Sequence, residues 1–137
     1  NTIEAFTLIV WERGQLLQLV WDEAQKHIFK IDSGRPQIWS SSTLYSDEAK
    51  LQRQKWFYEW LKTEPIISGN NLLHFFRSVS DSNNGFIMDR ENKVRSVSYT
   101  SIACDQSRSI QMDYHDFLTN SVSSNTMLFQ ETINRQF

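Results

Sequence analysis

The stretch WSSSTLYSDEAKLQRQKWFYEWLK, Trp39–Lys62, decides how this chain is read, because the apolar period changes inside it from that of a strand to that of a helix. From Ser46 to Lys62, residues Ala49, Trp56, Phe57, Trp60 and Leu61 fall on one helical face, with Lys50, Gln54, Lys55 and Glu59 outside it. Ser46 suits the N-cap, and Asp47 and Glu48 complement the positive end of the helix dipole. Pro65 marks the stop. Upstream of the cap stand four hydroxyls: Ser40, Ser41, Ser42 and Thr43. Such a junction can present hydroxyls and helix amides to an anion or a carbonyl group. It can equally be a strand end and a helix cap and nothing more.

Reading towards the N-terminus, the continuously apolar AFTLIVWE (Ala5–Glu12) predicts a buried strand. ERGQ predicts a turn, LLQLVWD (Leu16–Asp22) a second strand, and the alternating HIFKID (His27–Asp32) a half-exposed third. DSGRP is a turn signal, and QIWSS (Gln37–Ser41) completes an expected four-strand meander. Reading towards the C-terminus, NNLLHFFRS (Asn70–Ser78) predicts a short second helix. SDSNNG (Ser80–Gly85) is a polar loop ending in Asn-Gly, a hairpin-type signal. GFIMD, VRSVSYTSIAC and RSIQMDY predict three more strands. In the middle one, Val94, Ser96, Ser98 and Thr100 would share a face, with Arg95, Val97, Tyr99 and Ser101 on the other. From His115 the chain turns polar, with a weak amphipathic pattern in Thr126–Phe137 that reads as a terminal helix or tail. The expected order is ββββ–αα–βββ–(α), an α+β fold of antiparallel sheets with helices. Residues 1–114 form the expected domain, and residues 115–137 its C-terminal helix or tail.

The bulk properties narrow the function. A chain of 137 residues suits one domain, and five Trp, four Tyr and nine Phe offset a hydrophobic share of only 39%. A net charge of −2 gives no electrostatic case for nucleic acid or an anionic membrane. One cysteine cannot form an internal disulfide, and no apolar run approaches the roughly 20 residues of a membrane span. No signal peptide is evident, so the expectation is a cytoplasmic protein with no membrane span. The chain has no initiating Met and starts close to a strand, which reads as a piece of something longer.

Candidate chemistry is sparse. Cys104, closing the strand SIAC, reads as a small buried hydrophobe. Asp113, His115 and Asp116 have the residue types of metal ligands, but one His between two Asp is common by chance. No CxxC, HExxH, P-loop or G-x-S-x-G elbow occurs, and no metal or cofactor is expected. Arg95 can aim a guanidinium at a carboxylate or phosphate, or it is a solvated strand residue. Trp56, Phe57 and Trp60 read as core.

The run FTLIV…W…IWSSSTLYSDEAKLQRQKWFYEWL, followed by GFIMDRENKVRSVSYTSI, resembles the C-terminal half of the NRDE family. That family comprises the bacterial relatives of the animal transport-and-Golgi-organisation protein, and the similarity covers most of residues 5–110. It is placed with the N-terminal nucleophile hydrolases, αββα sandwiches in which an N-terminal Cys is nucleophile and base. The resemblance puts Ser41 and Ser42 where the animal relative has Ser-Asn, so that Ser42 replaces an oxyanion-hole Asn with a shorter hydroxyl. Arg95 matches an arginine of the family's late strand. Ser41, Ser42, Thr43 and Arg95 are thus the implied pocket or oxyanion residues. The family's Cys and its Asn-Arg-Asp-Glu motif are absent from these 137 residues, so this chain alone is expected to be inactive. The resemblance implies amide or acyl hydrolysis, or acyl transfer, in a parent protein carrying the Cys. An alternative is non-enzymatic binding or trafficking of a lipid-like or haem-like ligand. A third reading is a structural domain whose edges bind the missing N-terminal half or a second copy in a homo-oligomer.

Overall fold

The computed structural model describes residues 3–40, 44–64, 66–91, 93–105 and 109–128. The chain divides into two compact units, Asn1–Leu61 and Lys62–Phe137. Among the described residues there are two helices and three small antiparallel sheets, an α+β composition.

The first unit opens with a three-stranded meander: β1 (Phe6–Glu12), β2 (Gln15–Trp21) and β3 (Lys26–Ile31). The β1–β2 hairpin closes on Glu12 opposite Gln15. Its two turn residues, Arg13 and Gly14, have φ of 49° and 75°. Two left-handed residues give the turn the twist that antiparallel strands need. The register places Phe6, Leu8 and Val10 beside Trp21, Leu19 and Leu17, while Ile9 and Trp11 lie on the other face beside Gln18 and Leu16. Both faces are therefore apolar, as the continuous run in β1 requires. The expected burial is not found, since every residue of β1 is exposed or half-buried.

Asp22 organises the β2–β3 turn. Its Oδ1 accepts from the amides of Ala24 (2.9 Å) and Gln25 (2.6 Å), and its Oδ2 lies 2.7 Å from His27 Nε2. The Gln25 amide first, then the His27 side chain and the Ala24 amide, draw the Asp22 pKa down from 3.8 to about 2. A carboxyl more acidic when folded stabilises the fold above its unfolded pKa. The contribution is lost as pH falls through the folded one, so the turn should loosen between about pH 4 and pH 2. NMR titration of the Asp22 carboxyl carbon is expected to show a midpoint near 2. A midpoint at the ordinary aspartate value would contradict this arrangement.

The fourth strand expected at Gln37–Ser41 does not form over its described part. Gln37–Ser40 is half-buried but joins no ladder, and Ser41 lies outside the described residues. Pro36 removes a ladder donor just before it. Ser40 is tied instead by its side chain, accepting from Arg53 Nε at 3.0 Å.

Helix α1 spans Asp47–Thr63. Ser46 caps it as expected, its Oγ accepting from the Ala49 amide at 3.3 Å. The buried residues are Ala49, Arg53 and Phe57, four apart, with Trp56, Trp60 and Leu61 half-buried beside them. Arg53 was not expected there. Its guanidinium carbon sits 4.4 Å from the centre of the Tyr45 ring, and burial draws its pKa down.

The second unit begins with α2 (Gly69–Ser78), capped by Ser68, whose Oγ accepts from the Asn71 amide at 3.2 Å. Leu73 and Phe75 are its buried residues, two apart and so on different sides of the helix. The segment read as the strand GFIMD is mostly bends, and only Asp89–Arg90 (β4) pairs, with Val94–Arg95 (β5). The Asn-Gly pair does not make a two-residue hairpin. Asp81 folds the loop instead, its Oδ1 accepting from Asn83 (2.9 Å) and Asn84 (2.8 Å) and its carbonyl from Gly85 (2.8 Å).

The long strand expected at 94–104 is broken after Arg95. Ser96 turns to Met88, donating its amide to the Met88 carbonyl and accepting the Met88 amide on Oγ. Arg95 consequently shares no sheet with Tyr99 and Ser101. The main sheet is β6 (Ser98–Cys104), β7 (Ser109–Asp116) and β8 (Ser121–Leu128), in that order. Strand β8 replaces the start of the expected terminal helix or tail, and residues 129–137 lie outside the described residues. Its turn is built by Asp116, whose Oδ1 accepts from Leu118 (2.7 Å) and Thr119 (3.0 Å), and by Asn120 at φ 54°.

Candidate functional site

Of the implied pocket residues, Ser41, Ser42 and Thr43 lie outside the described residues. Arg95 is described, exposed on β5, and lines a cleft of about 600 Å³ within the second unit. The cleft runs between the end of α2, the 79–89 loop and the turn after β7. Its apolar walls are Phe76, Met88, Phe117 and Leu118, and its second cation is Arg77. Arg77 belongs to the last turn of α2, where a cation faces the negative end of the dipole. Its guanidinium carbon stands 5.8 Å from the centre of the Phe117 ring.

Two carboxylates also line this cleft. Asp81 is committed to its loop, and the amides of Asn84 and Asn83 hold its pKa below the ordinary value. Asp89 is the ladder partner of Arg95, yet no ion pair closes between them among the described residues. No protein hydrogen bond or ion pair ties the Arg95 guanidinium among those residues. A guanidinium so placed has its full fork available to a planar anion.

Phe76 is the hinge of the site. Its ring stacks on Phe86 (4.7 Å, 17°) and meets Tyr99 edge-on (5.8 Å, 81°). Its other side lines a second cleft of about 480 Å³, with Leu72, Tyr99, Ser101, Ile102 and Cys104. Gly69 lets the helix approach β6 there. A Cβ on Gly69 would lie 2.7 Å from Ser101 Oγ, and the Tyr99 hydroxyl donates to the Gly69 carbonyl at 2.9 Å. Burial pushes the Tyr99 pKa up. Cys104 is exposed rather than buried, because β6 leaves the cover of α2 at its end.

No family model, curated protein or solved structure matches this chain. What the site can do therefore rests on its own chemistry. Among the described residues no Ser, Thr or Cys side chain is hydrogen-bonded to a histidine; the one hydrogen-bonded imidazole, His27, partners Asp22. No group of three His, Cys, Asp or Glu residues among them could hold a metal ion. Asp113 accepts instead from Ser124 (2.7 Å) and Gln111, while Asp116 serves its turn. No helix is long and apolar enough to cross a membrane.

Sequence reasoning singled out Arg95 but missed Phe76, Arg77 and Phe117. The adjacent aromatic and cation at the end of α2 were the available signal. Nothing local placed Phe117 against them.

Proposed function

We propose that this chain is a binding module for a small apolar carboxylate, held with its anionic end at Arg95 and its body against Phe76, Met88 and Phe117. The observation that carries the reading is a solvent-facing arginine that has no protein partner among the described residues, lining a cleft with an apolar wall of Phe76, Met88, Phe117 and Leu118. Apolar walls combined with placed polar groups are the usual construction of small-ligand sites. A charge-assisted hydrogen bond contributes about 1.5–3 kcal/mol, and the open setting favours the lower figure.

Titration of the whole chain with octanoate and with octanol, followed by NMR shifts, tests the proposal. Octanoate is expected to bind about tenfold more tightly, with shifts at Phe76, Arg95 and Phe117. Arg95→Gln should remove that preference, and Asp89→Asn should strengthen it. Equal binding of acid and alcohol, or shifts elsewhere, would overturn the reading.

The resemblance to the NRDE family supports a wider proposal. With a nucleophile Cys supplied from outside these residues, in an αββα sandwich, ligand binding would become acyl or amide hydrolysis or transfer. Binding is the reading preferred for this chain, because its described residues offer an anion site and no nucleophile–base pair.

A further inference from the structure

We propose that the outer edge of β8 is a self-association surface, pairing antiparallel with β8 of a second copy of this chain about a two-fold axis through Asn125. Among the described residues β8 is the last strand of its sheet, and nothing pairs with its outer edge. All eight of its residues are exposed, including Val122 (60%), Met127 (66%) and Leu128 (73%). A strand edge presents a row of free amides and carbonyls, and natural proteins blunt such edges with Lys, Pro, bulges or short length. SVSSNTML has no charge and no proline, and it pairs with β7 without a bulge along its whole length. Of the two outer strands of the other three-stranded sheet, β3 carries Lys26 and Lys30 and β1 ends in Glu12.

The occupant follows from the residues. A two-fold axis normal to the sheet keeps each face on its own side, so partners must have the same parity. Centred on Asn125, the register puts Val122 opposite Leu128 and Ser124 opposite Thr126 on one face. On the other, Ser123 faces Met127 and Asn125 faces itself. Val122 meets Leu128 and Ser124 meets Thr126 as like with like, Ser123 against Met127 is the one unlike pair, and no like charges oppose each other. The comparable pairing of β1 about Ile9 would set Glu12 against Phe6, which is less well matched. The β8 pairing joins two sheets of three into one of six and covers Val122 and Leu128. It is independent of the carboxylate cleft, so either proposal can fail alone.

The test is sedimentation equilibrium of the full chain from about 1 µM to about 1 mM, the range in which a small interface dissociates. The expected result is a monomer–dimer equilibrium. Asn125→Lys and Asn125→Glu should each weaken it at least about tenfold, because like charges then oppose at the axis. An equimolar mixture of the two should restore association. In a Cys104→Ser background, Asn125→Cys should cross-link on oxidation. Ser121→Cys should not, because the two copies of residue 121 lie about 26 Å apart in this register. Far-ultraviolet circular dichroism checks that each variant keeps its sheet. A chain that stays monomeric throughout, a dimer indifferent to both charges, or equal cross-linking at 121 and 125 would overturn the proposal.

Discussion

Gly85→Ala is expected to destabilise the second unit by about 1–3 kcal/mol or more, although alanine adds a single methyl group. Gly85 is buried, and its amide donates to the Asp81 carbonyl at 2.8 Å. A Cβ there would collide with that same carbonyl oxygen and lie 3.0 Å from the carbonyl oxygen of Val79. Both obstacles are backbone, so neither can swing aside as a side chain would. The cost is steric and owes nothing to a left-handed φ, since Gly14 is the one glycine with positive φ. Gly34→Ala is the control. Its Cβ would meet Asp32 Oδ1 at 3.2 Å, the far end of an exposed side chain, and the change should stay within about 0.5 kcal/mol. Urea denaturation compares the two. A second readout is the Asp81 carboxyl, whose pKa should rise towards the ordinary value as the loop amides of Asn84 and Asn83 move off it. Unchanged stability and an unchanged Asp81 titration in Gly85→Ala would show that the 79–89 loop is not packed as described.

That glycine also shows where sequence reasoning stops. Asn-Gly was legible as a turn, but its type was not, because Asp81 four residues earlier sets the loop. Features fixed by neighbours in sequence were readable: the Arg13–Gly14 hairpin and the Ser46 cap. So was the amphipathic face of α1, apart from Arg53, whose charge argues against burial until the Tyr45 ring and the Ser40 hydroxyl are seen around it. Strand β8 was illegible for the opposite reason. Ser121–Leu128 has one β-branched apolar residue and no alternation, so its conformation comes from β7 and the Asp116 turn rather than from its own propensity. GFIM failed as a strand because Phe86 and Met88 are drawn into the core of their unit. The candidate site divides the same way. Arg95 was readable as a strand cation, whereas the walls around it come from α2 and the turn after β7, which only the tertiary fold brings together.

Phe75→Ala is expected to have the largest effect of any single change in the second unit, about 3–5 kcal/mol. Phe75 is 5% exposed, and its ring centre lies 4.9 Å from that of Phe86 and 5.7 Å from that of Phe76. Truncation removes the transfer free energy of a whole ring. It also leaves a cavity that α2 and the 79–89 loop cannot close without breaking the Ser68 cap or the Asp81 turn. Whole domains are stable by only about 5–15 kcal/mol, so the change removes a large fraction of the stability. His74→Ala, exposed on the same helix, should cost less than about 0.5 kcal/mol. The neighbouring ring separates stability from binding. Phe76 is half-buried and lines both clefts, so Phe76→Ala should lose less stability than Phe75→Ala but weaken octanoate binding severalfold. Phe75→Leu keeps most of the volume and should bind octanoate nearly as the parent does while unfolding at lower urea. If Phe75→Ala proved as mild as His74→Ala, the aromatic cluster would not be the core of this unit. If Phe76→Ala bound octanoate as the parent does, the cleft beside Arg95 would not be where the ligand's apolar body rests.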